Sequence, residues 1–194
     1  SDLTPEIEDL LWQKIAKTRS FPLPVYSLLR KISNKANESQ KNMIFQCLFQ
    51  QIFSTEVTKE TEDEVIKTII YYLPKDPSFR TSVQDQCIDL IKHELHIRFS
   101  LSLLKKLVYY YDAQESRELF HTILQISPNI TNCTQDYLEF FVSDMRHFVT
   151  PLNDEESNEF SALIRKIVPE KSKDLQKFFE DIAKTQKIIF PSLF

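Results

Sequence analysis

The 194-residue chain contains no glycine, where an average usage of about 7% would supply roughly thirteen or fourteen. Glycine provides the positive φ of tight hairpins and bulges, and the close backbone approach of phosphate-cradling loops. Its absence argues against compact β-barrels, dinucleotide-binding βαβ folds, P-loop enzymes and α/β-hydrolases. Helices joined through Pro, Asn, Asp and Ser require none. Long apolar runs are also missing, and no stretch approaches the eighteen or more residues of a membrane span. A dominant charge sign is lacking as well. The 24 basic and 28 acidic residues interleave to a net charge of −4, so no global field draws the chain to nucleic acid or an anionic membrane. Methionine (2) and tryptophan (1) are scarce.

Cysteine is sparse and odd in number. Cys47, Cys87 and Cys133 lie about forty residues apart in apolar surroundings, the expectation for buried thiols in a reducing compartment, nucleus or cytoplasm, rather than a disulfide framework. Three Asn-x-Ser/Thr triplets, at Asn37, Asn129 and Asn132, are read as unused. No signal or transit segment is recognisable, and an opening Ser1-Asp2 without methionine reads as part of a longer protein.

What is present is helical periodicity. Apolar residues recur at three- and four-residue spacing in Ile7/Leu10/Leu11/Ile15, Val25/Leu28/Leu29/Ile32, Ile44/Cys47/Leu48/Ile52 and Val65/Ile66/Ile69/Ile70/Leu73. The pattern continues in Val83/Cys87/Leu90/Ile91/Leu95, Leu103/Leu104/Leu107/Val108, Leu119/Phe120/Ile123/Leu124 and Tyr137/Leu138/Phe141/Val142/Phe148. It closes with Phe160/Leu163/Ile164/Ile167 and Leu175/Phe178/Phe179/Ile182. Thr4-Pro5 opens the first helix. Asn37…Gln40, Thr61…Glu64, Asp112…Glu115 and Asn153…Glu156 have capping-box spacing, and a break is expected near Ile97–Ser100. Pro74, Pro151 and Pro169 act as stops.

The predicted starts at Asn37, Asp76, Asp112 and Asn153 are 39, 36 and 41 residues apart, with two helices in each interval. A period near forty built from helix pairs resembles the HEAT/armadillo-like helical-repeat superfamily. That resemblance implies an all-α fold of about ten helices, in antiparallel pairs stacked as a short right-handed solenoid across residues 1–194, a single domain. An irregular helical bundle is the alternative fold.

Candidate chemistry is thin. His93-Glu94-Leu95-His96 is the nearest approach to a metal motif, but its second histidine comes one residue too early for the zincin spacing. The cysteines lack companions that would lower a thiol pKa, and carboxylates cluster at helix starts, where they complement the dipole. No catalytic residue, metal, cofactor or small-molecule substrate is assigned. The unusual features are Tyr71-Tyr72 and Tyr109-Tyr110-Tyr111, the latter flanked by Arg98, Lys105 and Lys106. A third is the apolar tail that includes Ile189, Phe190, Leu193 and Phe194. Tyrosine is enriched at interfaces, and an apolar tail either seals the last helix pair or docks a partner. The expected function is a non-catalytic protein-protein interaction scaffold or adaptor subunit of an intracellular complex. The alternative is a nucleic-acid-associated helical-repeat protein using the basic-tyrosine ridge.

Overall fold

Capping side chains and proline fix where the helices begin. In the computed structural model, residues 4–53, 57–73, 77–126 and 133–167 are described, with 173, 177 and 180–182. Among them lie nine α-helices and no strand. They are α1 (Pro5–Lys17), α2 (Leu23–Ile32), α3 (Glu38–Ile52), α4 (Lys59–Tyr72) and α5 (Pro77–Lys92). There follow α6 (Ile97–Leu107), α7 (Ala113–Ile126), α8 (Thr134–Met145) and α9 (Asp154–Ile167). The class is all-α, as the composition requires. The tenth expected helix, around Leu175–Ile182, falls largely outside the described residues. Among the described residues no helix is long and apolar enough to cross a membrane.

The four starts that set the forty-residue period are all correct, with helices beginning at residues 38, 77, 113 and 154. Asn37 and Gln40 exchange both capping-box hydrogen bonds at 2.9 Å. Asp112 with Glu115, and Asn153 with Glu156, do the same at 2.8–3.0 Å. Thr61 is a correction. The cap of α4 is Thr58, whose hydroxyl accepts from the Thr61 N–H at 3.1 Å, so the helix starts one turn earlier than the Thr61…Glu64 spacing predicts.

By Cα proximity the chain divides into two compact units, Ser1–Arg80 and Thr81–Phe194, and the boundary falls within α5. In the first unit α1 packs on α3, α2 on α4, and α3 on α4. Tyr26, Leu29, Ile44, Leu48, Ile52, Val65 and Ile69 are buried there. The amide of Gln51, also buried, ties the turn after α1 to α3. It donates to the carbonyls of Arg19 (3.0 Å) and Cys47 (3.3 Å) and accepts from the Phe21 N–H at 2.9 Å. On α1 the inward residues are Trp12 and Ile15. Ile7 and Leu10, part of the predicted stripe, are 50% and 65% exposed.

In the second unit α6 and α7 both pack on α8, and α7 on α9. Its centre is aromatic. Phe120 lies 5.4–5.7 Å, centroid to centroid, from Phe141, Phe148 and Phe160, and Phe141 lies 5.1 Å from Phe160. Three of these four pairs are edge-to-face and Phe120–Phe160 is tilted at 46°; aromatic pairs of this kind add about 0.5–1.5 kcal/mol each beyond the area they bury. All three cysteines are buried and free.

The missing glycine leaves its mark between α5 and α6. The break lies at Glu94–His96, before the expected Ile97–Ser100. Leu95 N–H reaches the Leu90 carbonyl at 2.9 Å and Glu94 N–H the Ile91 carbonyl at 3.0 Å, the paired bonds of a Schellman stop. Glu94 (φ 56°) occupies the left-handed position that glycine normally fills, and His96 (φ 46°) is left-handed too. An L-residue there costs about 1–2 kcal/mol, part of which glycine recovers against its own chain entropy. Glu94→Gly is therefore expected to stabilise the second unit by about 0.5–1 kcal/mol, measured by urea denaturation. A less stable variant would sink this account of the turn.

Candidate functional site

Adjacent residues on a helix point about 100° apart, so a run of tyrosines cannot all face the same way. Tyr72 is buried, and its hydroxyl donates to the Leu29 carbonyl at 2.6 Å, joining α4 to α2. Tyr111 is buried with its hydroxyl on Gln84 Oε1. Both are corrections to the tyrosine ridge, because each ring is needed inside its own unit and presents no surface. Tyr71, Tyr109 and Tyr110 remain exposed.

Tyr109 stands in the short 3₁₀ turn that ends α6, with its ring 63% exposed and edge-on to His147 at 6.3 Å. It borders a concavity of about 390 Å³ between α6 and α8, lined also by Lys105, Leu138, Glu139, Val142 and Arg146. Lys105 donates to Glu139 at 3.0 Å, and Arg98 lies 3.5 Å from Asp136. The hydrogen bond from Lys105 holds the Glu139 carboxyl below its ordinary range, against burial. Two of the three predicted basic residues thus face carboxylates of α8, while Lys106 is exposed. Of the two cations that line the groove, Lys105 is paired with Glu139, while Arg146 is exposed.

A second concavity, of about 670 Å³, runs along α7 and the segment before α9. Behind it sits a polar cluster that sequence reading found only in part. Glu156, its side chain 3% exposed, accepts from Arg117 Nε (3.0 Å) and Nη2 (2.5 Å), from His121 Nε2 (2.8 Å) and from the Asn153 N–H (3.0 Å). Burial raises its carboxyl pKa. The hydrogen bonds from Arg117, Asn153 and His121, with the Arg117 charge, overcome that and hold it at about 2. Arg117 also donates to Thr150 O, Thr150 Oγ1 and Pro151 O at 2.7–3.0 Å and covers the Phe148 ring at 5.0 Å. The Asn153…Glu156 spacing disclosed the cap. The partners on α7, Arg117 and His121, share a face at i, i+4, a signal too common to single out.

This cluster pairs a histidine with an orienting carboxylate, but no Ser, Thr or Cys hydroxyl or thiol bonds to His121 among the described residues, and its geometry is that of a clamp. His93-Glu94-Leu95-His96 proves to be the Schellman stop itself, with His93 Nδ1 donating to the Asp89 carbonyl at 2.8 Å. Among the described residues no group of three or more His, Cys, Asp or Glu is placed to hold a metal ion. Ile189, Phe190, Leu193 and Phe194 lie outside the described residues. No family model matches the chain, and neither a curated protein nor a solved structure does.

Proposed function

We propose that the chain is a non-catalytic scaffold or adaptor subunit of an intracellular multiprotein complex, and that it holds a protein partner at the α6–α8 groove. Tyr109 carries this reading. A large amphipathic ring, 63% exposed, stands beside an apolar floor of Leu138 and Val142 with charges of both signs at the rim. That mixture suits a protein surface, whose anchors are aromatic and whose rim is polar. It suits a nucleic acid less well, since a carboxylate, Glu139, lines the groove and takes up the Lys105 charge. A HEAT-like stack is the architecture we propose. Its support is that helices two apart pack together within each unit, α1 on α3 and α2 on α4, then α6 on α8 and α7 on α9.

The test compares tagged wild type with Tyr109→Ala, purified from the protein's own cells at moderate salt. The expected result is a stoichiometric protein partner on the wild type, reduced about tenfold or more on the variant, as for a hot-spot aromatic. Stability should change by no more than about 0.5 kcal/mol, because the ring is exposed. Equal retention on both proteins would remove the groove from the proposal. Nuclease-sensitive nucleic acid as the sole companion would move the weight to the alternative reading.

A further inference from the structure

We propose that Thr150 is a phosphorylation site for a proline-directed protein kinase, and that Arg117 and His121 hold the resulting phosphate. Three observations on the segment between α8 and α9 carry this. Thr150 is exposed, between the 85% exposed Val149 and exposed Pro151. It is followed by proline, which lacks an N–H and is the residue that such kinases select after the acceptor. Its Oγ1 already lies 2.7 Å from Arg117 Nη1, beside the 670 Å³ concavity that Arg117, His121, Gln114 and Thr150 line together. The chain's other described Thr-Pro pair differs on this last point. Thr4 Oγ1 faces the Ile7 N–H of its own helix at 3.4 Å, with Glu6 and Glu8 in the same turn.

In the reaction Thr150 Oγ1 attacks the γ-phosphorus of a nucleoside triphosphate supplied with the kinase. A new O–P bond forms, the bond to the β-phosphate oxygen breaks, the nucleoside diphosphate leaves, and the hydroxyl proton passes to the kinase's base. The product replaces a neutral acceptor at Arg117 Nη1 with a group of charge about −1.5 to −2. Charge-assisted hydrogen bonds are shorter and roughly twice as strong. Glu156 keeps Nε and Nη2, so Arg117 becomes a bridge between carboxylate and phosphate. His121, its side chain 46% exposed, keeps Nε2 on Glu156 and offers Nδ1 as the second donor. The segment Phe148–Asn153 is thereby held more firmly to α7, which turns a structural clamp into one a kinase can tighten.

The experiment treats the full chain with a purified proline-directed kinase and magnesium ATP, maps the sites by mass spectrometry, and titrates the product by ³¹P NMR. Phosphate is expected at Thr150, with its second ionisation lowered by about half a unit or more from the ordinary value of about 6. Much of that shift should be lost in Arg117→Lys, which keeps the charge but not the forked geometry. Part should be lost in His121→Gln, which leaves the Arg117–Glu156 pair in place. A chain labelled at Thr4 but not Thr150, or not labelled at all, overturns the site. A phosphothreonine that titrates at the ordinary value overturns its reading by Arg117 and His121.

Discussion

Glu156→Gln is expected to cost about 3 kcal/mol at pH 7. The folded carboxyl ionises at about 2 against an ordinary 4.5, and each unit of difference corresponds to about 1.4 kcal/mol. The figure agrees with the roughly 3–5 kcal/mol lost when one partner of a buried ion pair is removed. Glutamine keeps the shape but withdraws the charge that Arg117 and His121 face. It also weakens the acceptor for the Asn153 N–H, loosening the start of α9 together with the segment that Arg117 clamps. The sign with pH is fixed by the direction of the shift. A depressed carboxyl contributes stability that is complete above about 4.5 and lost as pH falls through about 2. Denaturant titrations of wild type and variant should therefore differ most at pH 5–7 and converge near pH 2. A difference under about 0.5 kcal/mol at pH 7, the size of an ordinary surface substitution, would show that the cluster is ornamental.

Asp144→Asn should do the opposite and stabilise the protein at neutral pH. Asp144 is completely buried on α8. The Ser116 hydroxyl of α7 is its polar neighbour, yet neither carboxyl oxygen has a well-formed hydrogen bond. Burial, outweighing the pull of Ser116, pushes the carboxyl well above the ordinary range and so favours the protonated acid in the folded protein. The unfolded chain releases that proton above about pH 4. Stability from this group is thus greatest at acid pH and falls as pH rises. Asparagine has no proton to release, so the variant should lose this decline while matching wild type near pH 4. Equal stabilities at pH 7 would show that the acid is better accommodated than its surroundings indicate. Taken with Glu156, the two carboxyls predict a wild-type optimum in mildly acid solution, since one group contributes less below it and the other penalises the fold above it.

The helix class and four of the helix starts were legible in the chain because their causes are local. A cap is a side chain and a backbone N–H three residues apart, and Asn37, Asp112 and Asn153 make the predicted bonds. The Thr61 cap failed because Thr58, a residue of the same capping type, stands three positions earlier and takes the role. The buried cysteines were legible too, from the apolar periodicity around them. The tyrosines were not fully so. Composition marked Tyr71 and Tyr72 alike, but only the packing of α2 on α4 decides that Tyr72 turns inward to bond Leu29.

By itself the sequence determined an all-α chain with starts near forty-residue intervals, because glycine's absence and the capping spacings act over three or four residues. Tertiary structure decided everything that depends on residues thirty or more positions apart. It matched Lys105 with Glu139 and Arg98 with Asp136, emptying the basic-tyrosine ridge of most of its charge. It brought Arg117 and His121 to Glu156, making a capping carboxylate the anchor of a buried cluster. These outcomes depend on which faces meet, and side-chain type fixes a face's chemistry without fixing its partner.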